Sequence, residues 1–206
     1  LQYEEFFREI GGIIAKSSNP NLKIYVSEWN AQSTDWRTGL YCGGLLNAFE
    51  RCGDILEIGG PALFLRHASA TAWDNAFINF DQSSWFPAPN YVVMKLWRDN
   101  YAPERIAISG ESGPLNVSAT RRPADGAVIV KVVNPSREKV AVELAVPASA
   151  SATAQVVAPG GLDARNTLAA PSRVKAEKLA VRVDGGKVLA EMPALSAGVI
   201  VVTTAK

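Results

Sequence analysis

Lys23-Ile24-Tyr25-Val26-Ser27-Glu28-Trp29-Asn30 is an alternating apolar segment that runs straight into a carboxylate, an aromatic ring and an amide. Side chains alternate along a strand, and parallel α/β barrels open their active site at the C-terminal ends of their strands. Ile24, Val26 and Glu28 share one parity, so a barrel-facing Val26 predicts a barrel-facing Glu28. A carboxylate at such a mouth, beside Trp29, fits sugar chemistry. Tryptophan covers the apolar faces of sugar rings, while carboxylates act on the glycosidic oxygen and the anomeric carbon. On spacing alone, a strand-end acid paired with an arginine is an equally good reading of Glu28.

Around this segment the chain reads as helices alternating with strands. Tyr3, Phe6, Phe7, Ile10, Ile13 and Ile14 recur at helical spacing and predict one apolar face; Asn19-Pro20-Asn21 then stops the helix. A second helix is predicted from the capping residues Thr34-Asp35 to Arg51, with Tyr41, Leu45, Ala48 and Phe49 on one side. Gly43-Gly44 weakens that helix by roughly 1 kcal/mol per residue, so close packing is expected there. Asp54 to Ile58 and the apolar run Pro61 to Leu65 read as strands, the second of them buried, and Pro89 to Asp99 as a closing helix. Helix, strand, helix, strand, helix is about a quarter of a (β/α)8 barrel, which cannot close by itself.

The aromatic residues divide the 206-residue chain: every Trp, Tyr and Phe lies at or before Tyr101. This places a boundary near Ala102-Pro103-Glu104, with residues 1–103 as barrel elements and 104–206 as a second domain. Beyond it, Leu115–Thr120, Ala127–Val133, Val140–Val146, Ala152–Val157, Lys187–Met192 and Gly198–Thr203 read as short strands. Asp125-Gly126 and Asp184-Gly185-Gly186 are the turn signals between them. The prediction is an antiparallel β-sandwich, jelly-roll-like, with an aliphatic core and without the exposed rings that grip sugars.

Val26-Ser27-Glu28-Trp29-Asn30 resembles the E-W-N strand of the α-L-arabinofuranosidases of glycoside hydrolase family 51. Phe49-Glu50-Arg51-Cys52-Gly53-Asp54 resembles the family's "LERNGD", with Cys52 in place of the amide. Asp54-Ile55-Leu56-Glu57-Ile58 is similar to "DIVEM", and Pro61-Ala62-Leu63-Phe64 to "APLF". Trp73 to Asp81 resembles "WNPDLIYFD", and Pro89 to Trp97 resembles "PSYYVQKLF". In the β half the likeness continues at Val130-Lys131-Val132-Val133-Asn134 and at Pro193 to Val199. The motifs cover almost the whole chain in family order.

The resemblance implies the C-terminal part of a retaining glycosidase that releases terminal arabinofuranosyl groups from arabinoxylan or arabinan. It makes Glu28 the nucleophile, with Trp29, Asn30, Trp73 and Asn75 as substrate-binding residues. Some relatives carry a substrate-binding Gln in the loop of Trp73. No Gln occurs between Leu65 and Asp81, which leaves Asn75 as its stand-in. The family's acid/base Glu precedes anything in this chain, so the expected partners are an arabinose-containing glycan and the N-terminal remainder of the enzyme, with homo-oligomerisation left open. An endoglucanase of the same family and a non-catalytic accessory fragment are the rival readings.

Composition excludes other classes. A net charge of +1 and the lack of a basic patch interleaved with aromatics give no reason to expect a nucleic-acid partner, and no apolar run approaches a membrane span. One histidine, His67, and two cysteines, Cys42 and Cys52, offer no zinc constellation and no disulfide framework, so no cofactor or metal is expected. His67 reads as a loop hydrogen-bonder, the cysteines as small buried residues, and Arg121-Arg122 as a solvated turn pair. Leu1 is not a start methionine, which leaves a secreted or a cytoplasmic origin equally open.

Overall fold

The computed structural model describes residues 2–147 and 149–204, so Leu1 lies outside it. The first half runs α1 (Gln2–Ala15), β1 (Ile24–Trp29), α2 (Trp36–Arg51), β2 (Leu56–Pro61), β3 (Leu65–His67), β4 (Ile78–Phe80), β5 (Trp85–Pro87) and α3 (Pro89–Asp99). The second half holds β6 (Glu104–Arg105), β7 (Asn116–Arg121), β8 (Val128–Asn134), β9 (Val140–Ala145), β10 (Ser149–Val157), β11 (Glu177–Leu179), β12 (Val181–Asp184), β13 (Lys187–Met192) and β14 (Ser196–Thr204).

β1 and β2 are parallel, as two adjacent strands joined by a crossover helix are. Ile24 and Leu56 pair, and both pack toward the helices with Phe7, Phe49 and Cys52. Tyr25 pairs with Ile58 on the other face, and both are exposed, at 63% and 55%. The register then shifts between Val26 and Trp29. Val26 and Trp29, three residues apart, both pack into the main core, while Glu28 is exposed. The expected common parity of Val26 and Glu28 is therefore incorrect: the irregularity turns Glu28 to the side that Tyr25 occupies.

The predicted buried strand Pro61–Leu65 also needs correction. Ala62 N–H still donates to Trp29 O at 3.1 Å, but β1 ends there, and the next carbonyls turn to another partner: Leu63 O accepts from Phe77 N–H at 3.1 Å and Phe64 O from Ile78 N–H at 2.9 Å. Leu63 and Phe64 form an exposed connection, and pairing resumes in a small sheet of order β3-β4-β5. The apolar face predicted for α1 is only partly covered: Phe7 is buried, whereas Tyr3, Phe6 and Ile13 are exposed.

α2 is the molecule's central helix. Asp35 caps it by accepting from Arg37 N–H at 3.1 Å, and the fully buried Trp36 donates through Nε1 to Leu195 O at 2.5 Å. Burial pushes the Cys42 and Cys52 thiols up, and both are free. The two glycines of α2 are not equivalent. A Cβ on Gly43 would meet Val133 Cγ2 at 2.8 Å, whereas one on Gly44 would meet nothing closer than Asn116 Nδ2 at 3.6 Å. Gly43→Ala should therefore lower stability by about 1–3 kcal/mol, and Gly44→Ala should raise it by about 0.5–1 kcal/mol. Urea unfolding of the two variants checks the opposite signs.

The second half is a sandwich of a six-stranded sheet, order β11-β10-β14-β8-β7-β6, and a three-stranded sheet, order β12-β13-β9. Between them lies an aliphatic core that includes Val130, Val132, Val142, Val156, Val188, Met192 and Ile200, free of rings as expected. The short strands β6, β11 and β12 escaped the sequence reading. The β12–β13 hairpin turns on Gly185 and Gly186, whose φ values of 56° and 78° suit glycine in a two-residue loop. Arg121 is exposed, and Arg122 forks onto Asp125 at 2.9 and 2.8 Å in an exposed turn.

The outer face of the larger sheet is covered by α2 and α3. Ile129, Val133, Val157 and Val199 pack with Trp36, Val93, Leu96 and Trp97 in one cluster. Lys131 lies on this same face of β8 with a side chain only 1% exposed, and it pairs with Glu50 of α2. Ser118 Oγ shares its one proton between Glu50 Oε2 at 2.6 Å and Asn47 Oδ1 at 2.9 Å, and Trp97 Nε1 donates to Asn47 Oδ1 at 2.9 Å. A paired charge and satisfied amide thus sit where α2 meets the sheet, which burial requires.

Candidate active site

The C-terminal end of β1 opens on a cleft of about 990 Å³, walled by Tyr25, Glu28, Tyr41, Leu63 and Trp73. Glu28 is the one carboxylate among the described residues that line it. The register shift lifts Glu28 into solvent while Trp29 drops beneath it. Trp29 is 7% exposed and meets Phe49 and Phe77 edge-on, with ring centroids at 5.9 and 5.3 Å. Trp29 thus lines the cleft as a largely buried floor under the strand end.

Trp73 forms an exposed side of the cleft. It is 73% exposed, reaches the cleft from the β3–β4 connection, and has a positive φ of 57°. Asn30 and Asn75 clasp the two loops together: Asn30 Nδ2 donates to Asn75 O at 2.8 Å, and Asn75 Nδ2 donates to Ala31 O at 2.8 Å. Asn75 lines the cleft, and one of its two amide N–H groups ties the loop of Trp73 to the loop after Glu28. Asn30 Oδ1 accepts from Ala31 N–H at 2.8 Å and from Asn90 Nδ2 at 3.1 Å.

Asn90 was missed in the sequence. It is buried in the first turn of α3, directly after Pro89, and it ties the closing helix to the loop that follows Glu28. An amide just inside an amphipathic helix, next to a proline, is the only signal it offers. Tyr41, also missed as a cleft residue, accepts no charge readily: burial and the 3.1 Å bond from its hydroxyl to that of Tyr3 push its phenol up. His67 is exposed beyond the cleft, with Nδ1 2.7 Å from Ser69 Oγ. Among the described residues no His, Cys, Asp and Glu side chains gather into a metal-holding group, and no helix is long and apolar enough to cross a membrane.

The architecture has many solved counterparts. The family 51 arabinofuranosidase from Xanthomonas axonopodis pv. citri superposes with a TM-score of 0.81 at 18% identity, over 98% of this chain and 45% of that one. The thermostable family 51 α-L-arabinofuranosidase from Thermotoga petrophila RKU-1 gives 0.81 at 18%, over 98% of this chain and 48% of its own. At these identities the likeness is one of fold. Among curated proteins, an extracellular exo-α-L-arabinofuranosidase of Streptomyces chartreusis is 26% identical over 106 residues, which is 52% of this chain and 12% of that protein. The chain therefore spans less than half the length of each of these relatives. The profile of the α-L-arabinofuranosidase C-terminal domain matches residues 16–196, and the chain belongs to that family.

Proposed function

We propose that this chain is the C-terminal part of a retaining α-L-arabinofuranosidase, with Glu28 as its nucleophile. The observation that carries the reading is the exposed Glu28 at the end of β1, the one carboxylate among the described residues of a cleft that Trp73 lines. In this reaction the Glu28 carboxylate attacks the anomeric carbon, and the C1–O bond to the leaving group breaks as that oxygen takes a proton from a second carboxylic acid. Water then attacks the glycosyl ester, the second residue removing its proton and Glu28 departing as carboxylate. The two carboxyl groups must stand about 5–5.5 Å apart.

That second acid is supplied by residues outside this chain. Two features support the completion: β1 and β2 form a parallel pair with no further neighbour among the described residues, and their Tyr25–Ile58 face is bare. A two-stranded parallel sheet with an uncovered apolar face is the unit a (β/α)8 barrel closes on itself. The proposed partners are thus the preceding barrel segments and a glycan ending in arabinofuranose. No cofactor enters the chemistry.

The complete enzyme should hydrolyse linear arabinan or arabinoxylan and release arabinose, while leaving β-glucan intact. Reducing-sugar assays on the polymers, with chromatography of the products, check this. Release of gluco-oligosaccharides with no arabinose would instead make the protein an endoglucanase of the same architecture.

A further inference from the structure

Trp85 does not belong to the Glu28 cleft. It stands on β5, 57% exposed, and forms one wall of a separate groove of about 270 Å³ between α3 and the segment 171–176. We propose that this groove is an auxiliary glycan subsite that holds one sugar unit of a neutral polysaccharide chain against the Trp85 ring. The choice of a glycan rests on the glycosidase reading above; the groove itself does not.

Three observations carry the proposal. The first is chemistry. Trp85 and Tyr91 line the groove with rings, and Gln155 and Ser172 line it with an amide and a hydroxyl. Rings beside groups that both donate and accept hydrogen bonds match a sugar ring, which is apolar on its faces and hydroxylated at its rim.

The second is charge. Lys95 is paired with Asp99 at 2.5 Å and Lys175 with Glu177 at 3.3 Å. The cations at the groove are therefore neutralised locally, which disfavours nucleic acid or an acidic peptide and favours an uncharged polyol.

The third is rigidity. Buried Asn166 donates through Nδ2 to Pro87 O and to Val174 O, both at 2.9 Å, and accepts from Val174 N–H at 2.6 Å. One amide thereby ties the wall that carries Trp85 to the wall that carries Ser172. The hairpin before Trp85 is fixed as well: Asp81 Oδ1 accepts from Ser83 N–H at 2.8 Å and Ser84 N–H at 2.7 Å. A platform held in place loses little entropy when it binds. At about 270 Å³ the groove is small for a whole ligand but suits a single unit of a chain that continues across the surface.

The test is native affinity electrophoresis of the 206-residue chain through gels containing soluble arabinoxylan or linear arabinan, with Trp85→Ala and Glu28→Gln run beside it. Thermal unfolding confirms that the exposed replacement leaves the fold intact. The expected result is retardation of the parent chain and of Glu28→Gln, with affinity roughly tenfold weaker in Trp85→Ala. Equal retardation of Trp85→Ala and parent, or no retardation of the parent in either gel, overturns the subsite. So does loss of retardation confined to Glu28→Gln. Hydrolysis of a nitrophenyl arabinofuranoside by the complete enzyme separates the two ideas, since Trp85→Ala should leave it unchanged. Binding that depends on Trp85 in a protein without that hydrolysis would sink the glycosidase assignment and keep the groove.

Discussion

Replacement of Glu28 by alanine is expected to lower turnover of a nitrophenyl arabinofuranoside by the complete enzyme on the order of 10⁴-fold or more. The loss is large because a nucleophile provides a bond, and no neighbour can make it: Glu28 is the sole carboxylate among the described residues of its cleft. Its side chain is exposed and bears no core contact, so Glu28→Ala should unfold at the parent's temperature. Azide is small enough to enter the vacated space and should restore part of the rate, giving a glycosyl azide of inverted configuration. Full activity in the alanine variant would remove Glu28 from the mechanism. Lost activity without azide rescue, in a folded protein, would leave it a binding residue only.

The second large effect concerns stability. Lys131→Ala should destabilise the fold by about 3–5 kcal/mol, because it leaves the Glu50 carboxylate without its counter-charge under α2. For a chain of this size that corresponds to a drop in Tm of roughly 6–20 °C. Removing both partners is predicted to cost far less. In a Lys131→Met, Glu50→Leu double variant the hydrophobic side chains fill the space, and Ser118 keeps Asn47 Oδ1 as its acceptor at 2.9 Å. Calorimetry on Lys131→Met, Glu50→Leu and the double variant closes the cycle. A double variant as unstable as Lys131→Ala would mean that packing, not charge, governs this site.

Much of this architecture was legible in the sequence. Helices α2 and α3 follow from 3.6-residue periodicity with Asp35 and Pro89 at their starts, and the turn into β13 from its glycine pair. The ring-free sandwich core follows from where the aromatics stop. What escaped has physical reasons. Strands of three residues such as β3, β4 and β5 are too short to show a period. The irregularity between Val26 and Trp29 overrides the alternation from which the facing of Glu28 was inferred. Lys131 lies in a Val-Lys-Val run whose alternation would send it to solvent, yet both faces of β8 are covered. The clasp around Asn30 escaped because its partners Asn75 and Asn90 are far away in sequence and no local pattern joins them.

The buried anchorage of Trp36 has an evolutionary consequence. Its indole fills the seam between helix and sheet, and its N–H reaches a carbonyl 159 positions away. A genetic crossover near residue 103 would join a helix shaped for one sheet to a sheet shaped for another, stranding that ring. Lineages should therefore inherit the two halves together, and recombination that succeeds should fall elsewhere, in solvent-facing turns such as Gly185-Gly186.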